Sequence, residues 1–301
     1  MKKRIFSALC ALCLTASLSV TALAETYTVT LTKEQATSDV PVVLDIPAQT
    51  PADVGTTPDY IIVTAPVENA AVEIKIKGDT KNANLILLKQ DGIYDVPEEI
   101  LTAKGTIYTL LPTKNAILMV LKTPPFKDIS RTQWYAPGVY YVYHNGLMNG
   151  TGKTTFNRSG KITRSMIATI LWRQAGESLP GSSTSYKDIP SGKFYTNAML
   201  WCAEQGILTP ANGKLLPDRA VTREQLAVIL HRYCKAVGMD VSGSADLSKY
   251  SDSGKISSSA KEAMSWAVSE GIFSGNNKKQ LLPAGTVTRD QMATILMRFF
   301  A

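Results

Sequence analysis

Ile162-Thr163-Arg164, Val221-Thr222-Arg223 and Val287-Thr288-Arg289 are one phrase written three times in the C-terminal half of a 301-residue chain. Behind each phrase runs an apolar pattern at helical spacing: Met166, Ile167, Ile170 and Leu171; Leu226, Ile229, Leu230 and Tyr233; Met292, Ile295, Leu296 and Phe299. A phrase recurring every 60 residues or so marks one supersecondary unit copied in tandem rather than one large fold.

Aligning the copies on these phrases exposes the rest of the unit. Upstream stands an aromatic-x-Asp: Phe126-Lys127-Asp128, Tyr186-Lys187-Asp188 and Tyr250-Ser251-Asp252. A first helical pattern follows and stops at Asn145-Gly146-Leu147, Gln205-Gly206-Ile207 and Glu270-Gly271-Ile272. Glycine just past a periodic apolar run is a helix stop, because it takes the left-handed backbone cheaply. Each unit therefore reads as turn, helix, glycine-stopped loop, helix.

The threonine has a mechanical role as N-cap of the second helix, and a Gln three residues on can reciprocate. Thr222 with Gln225 and Thr288 with Gln291 fit that box, whereas Thr163 with Met166 does not. Glu224 and Asp290 lie in the first turn, where the helix dipole favours negative charge. The arginine is out of place there. Two readings account for it: an ion pair to an acid such as the aromatic-x-Asp, or an anion pocket made by the arginine and the helix N-terminus.

With these residues in view, positions 124–301 resemble a run of three S-layer homology (SLH) modules, with boundaries at 124–178, 184–240 and 248–301. The resemblance implies an all-α, pseudo-threefold assembly of helix-loop-helix modules. It also implies non-covalent anchoring to a bacterial cell wall, through grooves between modules that bind an acidic, often pyruvylated, secondary wall polysaccharide. Carried onto this chain, the ligand-binding residues are Arg164, Arg223 and Arg289, supported by Asp128, Asp188 and Asp252. The loop pairs Asn149-Gly150 and Ser274-Gly275, the acids Glu224 and Asp290, and the aromatic Trp134 complete the set.

The copies differ. The second has Thr209-Pro210 in the loop, and proline has no N–H to donate. The first has Ser165-Met166 in place of Ala-Glu, and the third has Ser259 where Trp134 and Phe194 stand in the others. The grooves are expected to be unequal. If each arginine serves the loop of its own module, Arg289→Ala weakens binding more than Arg223→Ala.

The N-terminal part is of another kind. Met1-Lys-Lys-Arg4, an apolar run and Ala22-Leu23-Ala24 read as a secretory signal peptide over residues 1–24. Residues 25–123 contain about seven short β-rich runs separated by Pro, Gly, Asp and Asn, which predicts a small sandwich-like all-β domain. They carry 8 Lys/Arg against 13 Asp/Glu, whereas residues 124–301 carry 21 against 12. A basic repeat region suits an anionic wall polymer; nucleic acid is disfavoured because the chain reads as exported and its charges form no basic run.

Nothing points to catalysis. Residues 25–123 hold no His or Cys, and His144 and His231 each occur in one copy only. Cys202 and Cys234, the cysteines left after signal removal, read as small buried thiols, with a disulfide between them as the alternative, no metal-ligand spacing and no cofactor implied. Asn149-Gly-Thr-Gly-Lys-Thr154 imitates a P-loop but has Leu147 where the motif needs glycine. The expected protein is a non-enzymatic, wall-attached surface protein. A self-assembling surface-layer subunit is the alternative, and a wall-attached hydrolase is the third reading.

Overall fold

The computed structural model describes residues 124–130, 133–181 and 185–300, together with the backbone of eight strands between Thr26 and Lys122. The signal peptide read in residues 1–24, with Cys10 and Cys13, lies outside the described residues. The strands are β1 Thr26–Thr30, β2 Val42–Ile46, β3 Asp59–Thr64, β4 Ala70–Ile76, β5 Ala83–Leu88, β6 Tyr94–Asp95, β7 Thr106–Leu111 and β8 Asn115–Lys122. Their backbones pair in two sheets, ordered β1-β3-β8-β5-β6 and β2-β4-β7. The β1–β3 and β2–β4 pairs are parallel and the others antiparallel.

Among the described residues from 124 onward the regular structure is helical. Six α-helices follow: α1 Ala136–His144, α2 Arg164–Gln174, α3 Thr196–Glu204, α4 Arg223–Ala236, α5 Lys261–Ser269 and α6 Arg289–Phe300. Short 3-10 turns at Ser253–Lys255 and Ser258–Ala260 precede α5. Residues 157–295 form one compact unit, whereas residues 124–156 belong with the last turn of α6 to another.

Local chemistry sets the helix ends. α1, α3 and α5 each stop at a glycine in the left-handed region, Gly146, Gly206 and Gly271, with φ between 65° and 70°. Thr222 forms a complete capping box with Gln225. In the third copy Gln291 accepts from the Thr288 N–H at 3.2 Å, while the Thr288 hydroxyl donates to Asp290. Thr163 caps without a box, through the Met166 N–H at 3.4 Å.

Within residues 157–295, the second helix of one module lies against the first helix of the next. α2 packs on α3, where the Cys202 thiol donates to the Ala168 carbonyl at 3.8 Å. α4 packs on α5, where His231 meets Trp266 edge to face at 5.2 Å. Burial pushes the free thiols of Cys202 and Cys234 up to about 12.

His231 is 4% exposed, and its Nε2 lies 3.6 Å from the Glu262 carboxylate, which also holds Lys235 at 3.1 Å. Burial lowers its pKa, helped by Lys235 and Arg232 and opposed by Glu262. A His with a depressed folded pKa contributes stability that is complete above its unfolded value near 6.5 and is lost as pH falls through the folded value. The helical region is therefore expected to melt at progressively lower temperature as pH drops from 7 to 5. In His231→Met, which carries the residue of the third copy (Met297), this part of the slope should disappear. An unchanged slope in the variant would assign it to other groups.

Candidate functional site

The three repeated phrases meet at a ring of backbone hydrogen bonds. The Ile162 N–H donates to the Val287 carbonyl, Val287 to Val221, and Val221 to Ile162, at 2.9–3.0 Å. A second ring runs from the N–H groups of Arg164, Arg223 and Arg289 to the carbonyls of Arg219, Gly285 and Gly160. A third runs from Ser165, Glu224 and Asp290 to Pro217, Pro283 and Arg158. These are the first two N–H groups of α2, α4 and α6. The expectation that open helix N-termini help to bind an anion is corrected: neighbouring backbone carbonyls already take those donors.

Two of the three arginine side chains, Arg164 and Arg223, reach forward into the following module. Arg164 donates from Nε to the Leu215 carbonyl at 2.7 Å and from a terminal nitrogen to the Thr209 carbonyl at 3.0 Å. Arg223 repeats the pattern on Leu281 at 2.7 Å and Ser274 at 3.2 Å, and its guanidinium lies 4.8 Å from the Phe273 ring centre. For both, the expectation that an arginine serves its own module's loop is overturned. Arg289 is buried at the start of α6.

The aromatic-x-Asp acids hold backbone. Asp188 accepts from the N–H groups of Leu215 and Leu216 at 3.1 and 2.7 Å, and Asp252 from those of Leu281 and Leu282, both at 2.8 Å. Asp128 accepts from Phe156 N–H at 2.8 Å. Leu216 and Leu282 have φ of 54°, a conformation costly for a branched side chain and held here by those carboxylates. Asn157 occupies the same place in the first copy, with φ of 60°. Phe156 is therefore the counterpart of Leu215 and Leu281.

Of the first-turn acids, Glu224 accepts from Ser257 N–H at 3.0 Å. Asp290 is buried, accepts from Gln291 N–H and faces Arg158 at 3.6 Å. The loop glycines are explained by crowding. A Cβ on Gly150 would sit 2.5 Å from the Phe126 ring and 2.7 Å from two carbonyl oxygens; on Gly275 it would sit 2.6 Å from the Tyr250 ring. Gly275→Ala is thus expected to destabilise the helical region by about 2 kcal/mol, read as a lower urea midpoint with unchanged slope. A neutral result would mean that the Tyr250 ring swings away freely.

Trp134 and Phe194 stand at matching positions just ahead of α1 and α3, 61% and 65% exposed, and each ring touches the tyrosine after it. Asn149 and Ser274 open the loops that follow α1 and α5. The P-loop-like stretch is closed by a Gly152–Thr155 bridge and lies between α1 and α2. Among the described residues no cluster of His, Cys, Asp and Glu could hold a metal, and no helix is long and apolar enough to cross a membrane.

Comparison with known proteins agrees with this geometry. The S-layer homology domain model matches residues 125–165, 185–227 and 249–293. An endoglucanase of Bacillus sp. (strain KSM-635) is 29% identical over 173 residues, covering 57% of this chain and 18% of that protein. The surface-layer 125 kDa protein of Lysinibacillus sphaericus is 26% identical over 189 residues, covering 61% and 16%. An amylopullulanase of Thermoanaerobacterium thermosulfurigenes is 23% identical over 171 residues, covering 57% and 9%. The chain thus spans less than a fifth of the length of these curated relatives. Over residues 125–293 it consists of three tandem S-layer homology domains and belongs, in that region, to the S-layer homology family.

Proposed function

We propose that the helical region anchors an exported protein to the bacterial cell wall by binding an acidic secondary wall polysaccharide. The observation that carries this reading is the repeated placement of Arg164 and Arg223. Each guanidinium is oriented by carbonyl oxygens at the loop of the following module. Carbonyls aim a guanidinium without cancelling its charge, which suits recognition of a sugar carboxylate. Trp134 and Phe194 offer exposed rings for sugar faces. Arg289, Asp128, Asp188, Asp252, Asn149, Gly150, Ser274, Gly275, Glu224 and Asp290 position or complete these sites. Several modest sites linked on one chain retain a repeating polymer far better than one, by about 10²–10⁴.

In this reading residues 1–24 direct export, and residues 25–123 form a β-sandwich displayed at the surface without catalytic function. The test is retention of the full chain on purified wall sacculi before and after removal of the secondary polymer. Binding that survives removal rejects the polysaccharide. Arg223→Ala is expected to weaken retention about tenfold, the worth of one charge-assisted contact; wild-type retention would exclude Arg223 from the site.

A second reading, a self-assembling surface-layer subunit, is favoured by the surface-layer relative. Sedimentation decides it: ordered sheets formed without wall material would support assembly over simple anchoring.

A further inference from the structure

The loop of the second module lacks a donor that the others have. Pro210 stands where the first and third copies carry Gly150 and Gly275, so the loop has no backbone N–H at that point. Three residues before its Thr222 cap the same copy gains a different donor: Arg219 stands where the others have Gly160 and Gly285. Arg219 is exposed, and its carbonyl is the one that accepts from the Arg164 N–H at 3.0 Å, which ties it to the base of the Arg164 side chain. Arg232, from α4, closes the group by donating to the Thr209 hydroxyl, on the same residue whose carbonyl receives Arg164.

We propose that Arg164, Arg219 and Arg232 form a receptor for a doubly charged oxyanion of the phosphate-monoester class beside the Thr209-Pro210 loop. Among the described residues none of the three forms an ion pair, and the nearby carboxylate of Asp188 already accepts two backbone N–H groups. Three like charges gathered beside a single acid repel one another. Burial first, then Arg219, with Arg232 adding a smaller part, holds the Arg164 pKa below its ordinary value, while Asp188 pulls it up. An arriving dianion removes that repulsion and gains forked guanidinium contacts, which suit a tetrahedral oxyanion. At the Arg223 site, where the guanidinium lies over an aromatic ring, Gly285 stands in place of Arg219, so that cation is missing and a singly charged group is better suited. The biological ligand rests on the wall-polymer reading above, as a terminal phosphate on that polymer; the anion chemistry does not.

The test is calorimetry of the full chain with inorganic phosphate, glycerol phosphate and acetate. Phosphate is expected to bind saturably and acetate at least tenfold more weakly. Arg219→Ala should weaken phosphate binding about tenfold without changing the melting temperature, since this exposed side chain makes no hydrogen bond among the described residues. Arg219→Lys, which keeps the charge, should recover part of the loss. Absent phosphate binding, equal acetate binding or undiminished binding in Arg219→Ala would each overturn the proposal. Glycerol phosphate binding as well as phosphate identifies an esterified phosphate as the ligand, and binding of inorganic phosphate alone identifies the free ion; both support the site. Loss of sacculus binding on polymer removal with no phosphate binding would defeat this inference only. Phosphate binding with unchanged sacculus retention would defeat the polysaccharide reading only.

Discussion

Asp252→Ala is expected to lower the stability of the helical region by about 3 kcal/mol, the summed loss of two hydrogen bonds to a charged acceptor. Its carboxylate is 5% exposed and takes the N–H groups of Leu281 and Leu282, each at 2.8 Å. Alanine leaves two backbone donors without that acceptor, the Leu281 N–H in a buried contact and the Leu282 N–H in a part-buried one. It also frees Leu282 from the contact that holds it at positive φ. The loop would then lose the carbonyl of Leu281, on which Arg223 depends for its aim. Thermal melting should report a fall of roughly 6–12 °C for a region of this size. Asp252→Asn separates charge from shape: its amide keeps one acceptor and turns a donor toward the second N–H, so it should recover little. A wild-type melt for Asp252→Ala would mean that water replaces the carboxylate at no cost.

This outcome bears on what the sequence could reveal. The repeat, the helix order, the glycine stops and the Thr222 box were legible because each is a local rule about backbone conformation or a neighbouring side chain. Gly146, Gly206 and Gly271 needed only the apolar run before them to be read as stops. The partners of the repeated charges were not legible. Arg164 to Thr209 and Arg223 to Ser274 join positions 45 and 51 residues apart, and nothing in the spacing favours the next module over the same one. Asp188 and Asp252 look equally suited to a ligand, an arginine or a backbone loop. Only the positive φ of Leu216 and Leu282 shows that a loop needed holding there. Likewise Gly275 reads as room for a ligand until the Tyr250 ring is found in that room.

Ending the chain before the third module is expected to abolish cooperative unfolding in what remains of the helical region, rather than leave two stable modules. Six of the nine backbone bonds in the three rings have a partner in the third copy. At about 1 kcal/mol net each, they amount to roughly 6 kcal/mol, within the 5–15 kcal/mol that sustains a whole domain. The same cut removes Trp266 and the rest of α5 from the face of α4, and takes away both carbonyls that hold Arg223. A linear solenoid would tolerate this loss, because each repeat there depends on its neighbours alone. A closed ring has no dispensable member. Urea unfolding of a chain ending at residue 247, followed by fluorescence of Trp201, should show a broad drift where the full chain gives one transition. The full chain should in turn give coincident curves from Trp201 in the second module and Trp266 in the third, when each is left as the single reporter. A sharp transition in the shortened chain, with a slope in proportion to its length, would show that the modules fold independently and that the rings follow folding rather than hold it.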